Sequence, residues 1–280
     1  MPFYPGENLH PLNLDTYFAR VGYDGPREAT LETLRALQAL HPGAIAFENL
    51  DPLLGRRVHL NLVSVQQKLI GNRRGGYCFE HNSLFAAVLE ALGFKCSTLA
   101  ARVVYGRAVS TRRSHMLLKV DLPEGSYIAD VGFGGQTPSA PLRLDITSDQ
   151  PTPHGPFRVL PADQQYEVTA FMDGEWRGLY RFFLESQTPE DHEMANWYVS
   201  THPDSDFRTR LYVARHPAGR RLTLLDNQFT IRHSGGKTET HTLRHAEEIA
   251  GVMEQEFLIN LPEPRSELLA AIVRTMALSK

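Results

Sequence analysis

Cysteine, histidine and aspartate are the side chains here whose pattern could carry nucleophilic chemistry. One of the two cysteines, Cys78, lies in the run Arg73-Arg74-Gly75-Gly76-Tyr77-Cys78-Phe79-Glu80-His81-Asn82. From Asn82 the apolar residues Leu84, Phe85, Val88, Leu89 and Leu92 recur at helical spacing, and Gly93 reads as a stop. Cys78 is therefore expected in the first turn of a helix. Unpaired backbone N–H groups and the positive end of the dipole favour a thiolate there. The competing reading is a buried structural cysteine, the commoner fate of a lone thiol. Gly75 and Gly76 are expected to let the backbone turn tightly where side chains would clash.

A nucleophilic cysteine needs a base to take its proton and a third group to hold that base. With twelve histidines in the chain, a histidine alone means little. His81 is the local candidate, but a side chain three residues on at a helix start is expected to splay toward solvent. His115 is better placed, because it opens the apolar strand Met116-Leu117-Leu118, where a sheet would fix its backbone. Asp130 ends the following strand, just before Val131-Gly132-Phe133-Gly134-Gly135. A carboxylate in that apolar setting needs a partner, unless it simply forms the turn at the strand end; both readings stand at this point. A two-residue turn at Glu124-Gly125 would set Asp130 opposite Lys119. That is the face of the sheet carrying His115, but about 13 Å along it, too far for a hydrogen bond. A bulge, another hairpin or another acid would resolve the conflict.

The elements that must position these groups change character along the chain. Up to about Gly93 the pattern is helical: Leu14 to Val21, then Leu31 to Leu40 behind a Thr30 cap and ended by Pro42-Gly43, then Val63 to Ile70, then the Cys78 helix. From Cys96 strands are expected at Leu99 to Tyr105, Met116 to Leu122 and Tyr127 to Val131. Thr137 to Gln165 holds six prolines and reads as a long excursion or irregular connection. Strands follow at Tyr166 to Phe171, Leu222 to Leu225, Phe229 to His233 and Thr238 to Leu243, with Ser234-Gly235-Gly236-Lys237 as a turn. Helices at about His245 to Phe257 and Ser266 to Ala277 close the chain.

Composition sets wide bounds. The 29 basic and 32 acidic residues nearly balance, so nothing points to a nucleic-acid or membrane surface. Two cysteines are too few for a disulfide framework or a thiolate zinc site, which fits a reducing compartment and no metal. Met1 to Glu7 lacks the basic and apolar regions of a signal peptide, and the longest apolar run, Leu268 to Val273, is too short to cross a bilayer. A cytoplasmic location is expected.

Several motifs in order carry a family resemblance. Arg74-Gly75-Gly76-Tyr77-Cys78-Phe79-Glu80-x-Asn82, with Phe47-Glu48-Asn49-Leu50-Asp51 upstream and Asp130-Val131-Gly132-Phe133-Gly134 downstream, resembles the arylamine N-acetyltransferases. Tyr17-Phe18-x-Arg20-Val21-Gly22-Tyr23, Lys68-Leu69-Ile70, Ser114-His115-Met116 and Ser200-Thr201-His202-Pro203 with Phe207 extend the likeness over nearly the whole chain. Ala46 departs from it, standing where the family often has proline. The resemblance implies an α+β fold on a papain-like core: a helical bundle carrying the cysteine over 1–93, a β-barrel carrying the histidine and aspartate over 94–200, and an α/β lid over 201–280. It implies Cys78, His115 and Asp130 as a catalytic triad, and Phe47, Phe133 and Phe207 as walls of an acceptor pocket. It also implies Gly132, Gly134 and Gly135 near the donor's pyrophosphate, and Glu48 with Arg74 as an ion pair bracing the cysteine loop. For each of these the plainer readings, core packing or solvated charge, remain open on the sequence alone. The implied activity moves acetyl from acetyl-CoA, a co-substrate, to an arylamine or hydrazine by a ping-pong route, with no metal and no tightly bound prosthetic group. Alternatives on the same triad are a cysteine hydrolase, a transglutaminase-like enzyme or an amide synthase; a binding module that kept the fold is the non-catalytic rival. Oligomeric state is not legible.

Overall fold

Helices dominate the first third of the chain because their apolar residues fall on one face and their starts are capped. The computed structural model describes residues 12–106 and 112–278. Helix α1 (Leu14–Val21) begins under the Asn13 side chain and ends at Gly22, whose φ of 72° suits glycine. Thr30 caps α2 (Leu31–Ala44), which runs through Pro42 instead of stopping there. Pro42 lies in the last turn, and its carbonyl accepts from His216 N at 2.8 Å. After strand β1 (Phe47–Glu48) come α3 (Leu50–Leu53), α4 (Leu62–Gln66), which widens into a π turn over Gln67–Gly71, and α5 (Cys78–Ala91). Tyr17, Leu34, Leu37, Leu69, Phe85 and Leu89 form the buried core between them.

The middle of the chain is an antiparallel eight-stranded sheet in the order β5-β4-β3-β2-β9-β8-β7-β6. Its strands are β2 (Lys95–Val103), β3 (Arg113–Leu122), β4 (Gly125–Ala129), β5 (Leu142–Arg143), β6 (Gln150–Thr152), β7 (Gly155–Ala162), β8 (Gln165–Met172) and β9 (Glu175–Ser186). Its two edges meet. Arg143 of β5 and Gln150 of β6 exchange hydrogen bonds of 2.7 and 2.9 Å, which nearly closes the sheet into a barrel around Leu99, Leu117, Phe157, Val159 and Phe182. Strand β3 is buried on both faces: Leu117 points into the barrel, while Met116 and Leu118 belong to the helical core. The segment expected as an irregular excursion thus holds β5 to β7. Two of its prolines, Pro151 and Pro156, face each other where β6 ends the ladder and missing N–H donors cost least.

Helix α6 (Pro189–Thr201), capped by Thr188, leads to a second antiparallel sheet in the order β1-β10-β11-β12-β13. Strands β10 (Tyr212–Arg215), β11 (Arg220–Leu225), β12 (Gln228–His233) and β13 (Thr238–Thr242) complete it, with α7 (Ala246–Gln255) and α8 (Arg265–Leu278) packed against it through Ile249, Met253, Leu268 and Ile272. The edge strand β1 comes from the N-terminal part, so Phe47 stands where the two parts meet. The architecture is α+β, with a helical start, a barrel-like sheet and a C-terminal sheet-and-helix layer, as the sequence resemblance implied. Among the described residues no helix is long and apolar enough to cross a membrane. Met1 to Glu7, read above for a signal peptide, lies outside the described residues.

Candidate active site

Cys78 is the first residue of α5, and the loop before it is stitched to β1 by Glu48 N to Gly76 O at 2.7 Å and Gly76 N to Ala46 O at 3.3 Å. The glycines serve this close packing. A Cβ on Gly75 would fall 2.0 Å from the Ala46 carbonyl oxygen, and one on Gly76 would fall 2.7 Å from Glu80 Oε2. Neither has a positive φ, so the expected tight turn is replaced by a tight contact; Arg73, at φ 51°, is the residue that turns. Behind the loop Arg74 donates to Glu48 at 2.9 and 2.7 Å and to Asp51 at 3.1 Å. Lys68 extends the cluster to Asp51 and Glu80, each at 2.6 Å. The expected Glu48–Arg74 pair is thus part of a buried group of two cations and three carboxylates. Burial pushes the Glu80 carboxyl up to about 7 against the pull of Lys68, while Glu80 still accepts from Tyr77 N at 3.1 Å.

The barrel brings the other two expected residues to the same place. The β3–β4 turn is Pro123-Glu124, not Glu124-Gly125, since Leu122 pairs with Gly125. Proline suits the first central position of a turn because its φ is already set. The register moves by two residues, which keeps His115 and Asp130 on one face and halves the expected offset. Side chains span the remainder: His115 Nε2 donates to Asp130 Oδ2 at 2.8 Å. Asp130 Oδ1 accepts from Asn82 Nδ2 at 3.0 Å and Gly132 N at 2.9 Å. Asn82, one turn after Cys78, also donates to Met116 O at 2.7 Å and accepts from Val131 N at 3.1 Å. It locks the cysteine helix to both strand ends.

Electrostatics follow from these contacts. Burial alone would lower the His115 pKa, but the Asp130 charge and hydrogen bond outweigh it, and the Cys78 side chain adds to the rise, to about 10. Asp130, though buried, is held below the usual carboxylate range by His115, Gly132 N–H and Asn82. With Nε2 on Asp130, Nδ1 is the nitrogen left for Cys78, whose Sγ also lies 3.7 Å from Ser114 O. The His115 ring is flanked by Phe133 and Tyr180, each with centroids 4.9 Å away.

Cys78 and His115 open onto a cavity of about 740 Å³ whose wall also holds Phe47, Phe133, Phe207, Gly132, Gly134 and Gly135. Phe47 meets Phe207 edge to face at 6.0 Å. Gly132 is forced by Cys78 itself, whose Cα would lie 2.9 Å from an added Cβ. His81, expected to splay outward, is instead fully buried, its ring set against His41 of α2 and not toward solvent. Its nitrogens are both engaged, Nε2 with Ala46 O at 3.1 Å and Nδ1 with His41 Nε2 at 2.9 Å. The sequence reading missed the roles of Asn82, Lys68, Asp51 and Glu80, although all stand in the quoted motifs. Tyr180 had no signal, because β9 was not expected. Among the described residues no cluster of three or more His, Cys, Asp or Glu side chains is arranged to hold a metal ion.

Known proteins resemble this chain throughout. A family model described as N-acetyltransferase matches residues 30–266. An arylamine N-acetyltransferase of Escherichia coli (strain K12) is 40% identical over 254 residues, covering 90% of each chain. A Gallus gallus pineal gland isozyme of the same name is 32% identical over 276 residues, covering 89% of this chain and 95% of its own. The solved structure of the Mycobacterium marinum arylamine N-acetyltransferase superposes with a TM-score of 0.90 at 39% identity, over 93% of this chain and 98% of that one. The structure of that enzyme in complex with CoA gives 0.89 at 38% identity, with the same coverage.

Proposed function

The chain belongs to the arylamine N-acetyltransferase family of acyltransferases, and we propose that it carries acetyl on Cys78 between a CoA thioester and an aromatic amine or hydrazine. The observation that carries this reading is the 2.8 Å bond between His115 and the buried Asp130 beside a cysteine at a helix start, with Cys78 and His115 facing one aromatic-walled cavity. An imidazolium next to Cys78 favours the thiolate, and Asp130 holds the ring and its charge.

In the first half-reaction the Cys78 thiolate attacks the acetyl carbonyl of acetyl-CoA, and the C–S bond to CoA breaks. His115 gives its proton to the departing CoA sulfur. In the second, the amine nitrogen attacks the acetyl-cysteine carbonyl, His115 takes a proton from that nitrogen, and Cys78 leaves as thiolate. Exchange of one thioester for another is nearly balanced, which suits cysteine as carrier. The Cys78 N–H has no intrahelical acceptor at the first helical position and can face the developing oxyanion. Phe47, Phe133 and Phe207 offer flat apolar contact to an aromatic acceptor, and Gly132, Gly134 and Gly135 leave backbone on the cavity wall for the donor. The two free cysteines fit a reducing compartment such as the cytoplasm.

A donor-by-acceptor panel on the purified protein tests the reading, with Cys78→Ala as blank. Acetyl-CoA with aniline or phenylhydrazine is expected to give parallel double-reciprocal lines, the mark of a ping-pong route. Cleavage of amide or peptide bonds, with no transfer from acetyl-CoA, would instead establish a hydrolase.

A further inference from the structure

Directly behind the Cys78 turn runs a chain of buried hydrogen bonds that the reaction above does not use. Tyr17 Oη lies 2.9 Å from His41 Nδ1, His41 Nε2 lies 2.9 Å from His81 Nδ1, and His81 Nε2 lies 3.1 Å from the Ala46 carbonyl oxygen. All three side chains are fully buried. The last link fixes every proton. A carbonyl only accepts, so His81 Nε2 carries hydrogen and, in the neutral ring, Nδ1 accepts. His41 Nε2 then donates, His41 Nδ1 accepts, and Tyr17 supplies its hydroxyl hydrogen. Burial lowers the proton affinity of both histidines, that of His81 to about 4, which keeps the rings neutral and the chain running one way.

The chain ends on the residue before Phe47. Ala46 O accepts from Gly76 N as well as from His81, so the carbonyl is held from two sides. Alanine leaves φ free at this position, where a proline ring would have fixed it. The Phe47 ring lies nearly parallel to the His81 ring, with 6.4 Å between centroids and 11° between planes, and a Cβ on Gly134 would come within 3.6 Å of it. Phe47 is thus set by His81 in two ways, through its neighbour's carbonyl and through ring contact.

We infer that Tyr17, His41 and His81 form a positioning device for the acceptor wall: they hold Ala46 and the Phe47 ring, and so set the affinity for the aromatic amine without entering the acid–base chemistry of His115. The inference rests on the two-step reading above and assigns this chain to its second step. Without the His81 bond, Ala46 O would keep one donor, His41 Nε2–H would lose its acceptor, and the Phe47 ring would lose its backing.

The two half-reactions separate a positioning role from a structural one. On the full chain, CoA release from acetyl-CoA without amine reports the first, and KM for aniline reports the second. His81→Phe is expected to raise KM for aniline about fivefold or more while the CoA burst rate stays within about twofold. His81→Gln, whose amide can accept from His41 and donate to Ala46, is expected to bring KM most of the way back. Tyr17→Phe, at the far end, is expected to raise the same KM by a smaller factor. An unchanged KM in a folded His81→Phe overturns the inference, as do equal losses in both half-reactions or no rescue by glutamine. Should His81→Phe not fold, an unchanged KM in Tyr17→Phe overturns it alone. A missing CoA burst in the unaltered enzyme would remove the two-step reading and this inference together, a result distinct from a normal burst with an unmoved KM.

Discussion

Two buried histidines stand on either side of the Cys78 turn, and their surroundings give them opposite proton affinities. His115, on the barrel side, donates to the Asp130 carboxylate, and its pKa rises to about 10. His81, on the helical side, donates to the neutral Ala46 carbonyl, and its pKa falls to about 4. Burial acts alike on both, disfavouring the charged ring. What differs is the acceptor: a carboxylate at 2.8 Å repays the desolvation of an imidazolium, and an amide carbonyl at 3.1 Å does not. Proximity to the thiol in sequence therefore does not select the base. The neighbour three residues away is a neutral link in the scaffold, and the distant strand residue is the one equipped to hold a proton.

The sharpest way to break this contrast is to replace each ring by an amide. His115→Gln is expected to slow single-turnover acetyl transfer by about 10⁴-fold, and His81→Gln by less than about twofold, measured by stopped-flow release of CoA. Equal losses would abolish the distinction. Asp130→Asn keeps the shape but removes the charge that raises His115, and is expected to cost about 10³-fold in the same assay. A variant as active as the parent would mean that the carboxylate only ends a strand.

The scaffold behind the loop is expected to respond in stability more than in chemistry. Arg74→Met leaves Glu48 and Asp51 without their shared guanidinium, and removing one partner of a buried pair costs roughly 3–5 kcal/mol. Thermal denaturation is expected to show a fall in Tm of about 10 °C. A shift near zero would place the cluster with exposed ion pairs of little worth.

Smallest, and most specific to the comparison, is the pH dependence of folding. The His115 contribution is fully present below its unfolded pKa of about 6.5 and is lost as pH rises through about 10. The His81 contribution has the opposite sign: it is present above about 6.5 and lost as pH falls through about 4. Each amounts to roughly a few kcal/mol over its window, the His115 contribution being the larger. His81→Gln should flatten the acid limb of a Tm-against-pH curve, and His115→Gln the alkaline limb. Both variants flattening the same limb would show that the two rings share one environment.

The parts of the fold legible in the sequence were those with local causes. Cys78 at a helix start follows from periodicity after Asn82 and from Gly93, which indeed closes α5 with φ 86°. Same-face parity of His115 and Asp130 survived a wrong turn assignment, because the register moved by two residues and not one. Helix α6 escaped notice although Thr188, Pro189 and Asp191 form its start, since Met194 and Trp197 are 67% and 66% exposed and leave no continuous apolar stripe. Strand β7 was hidden by Pro156 and Pro161, which are tolerated near a sheet edge. The packing use of Gly75 and Gly76 could not be read, because it depends on Ala46 and Glu80, one of them some thirty residues away in sequence. The same holds for Asn82 and His81, whose partners lie on other elements.

Cys78 is proposed to carry the acetyl group, with His115 and not His81 serving it. Incubating the protein with acetyl-CoA and no amine, then measuring intact mass and mapping the adduct, tests this most directly. The expected result is one acetyl group on Cys78, formed at near-normal rate in His81→Gln and absent in His115→Gln over the same interval. An unmodified Cys78 in a protein that still acetylates aniline, or equal labelling of the two histidine variants, would contradict the account.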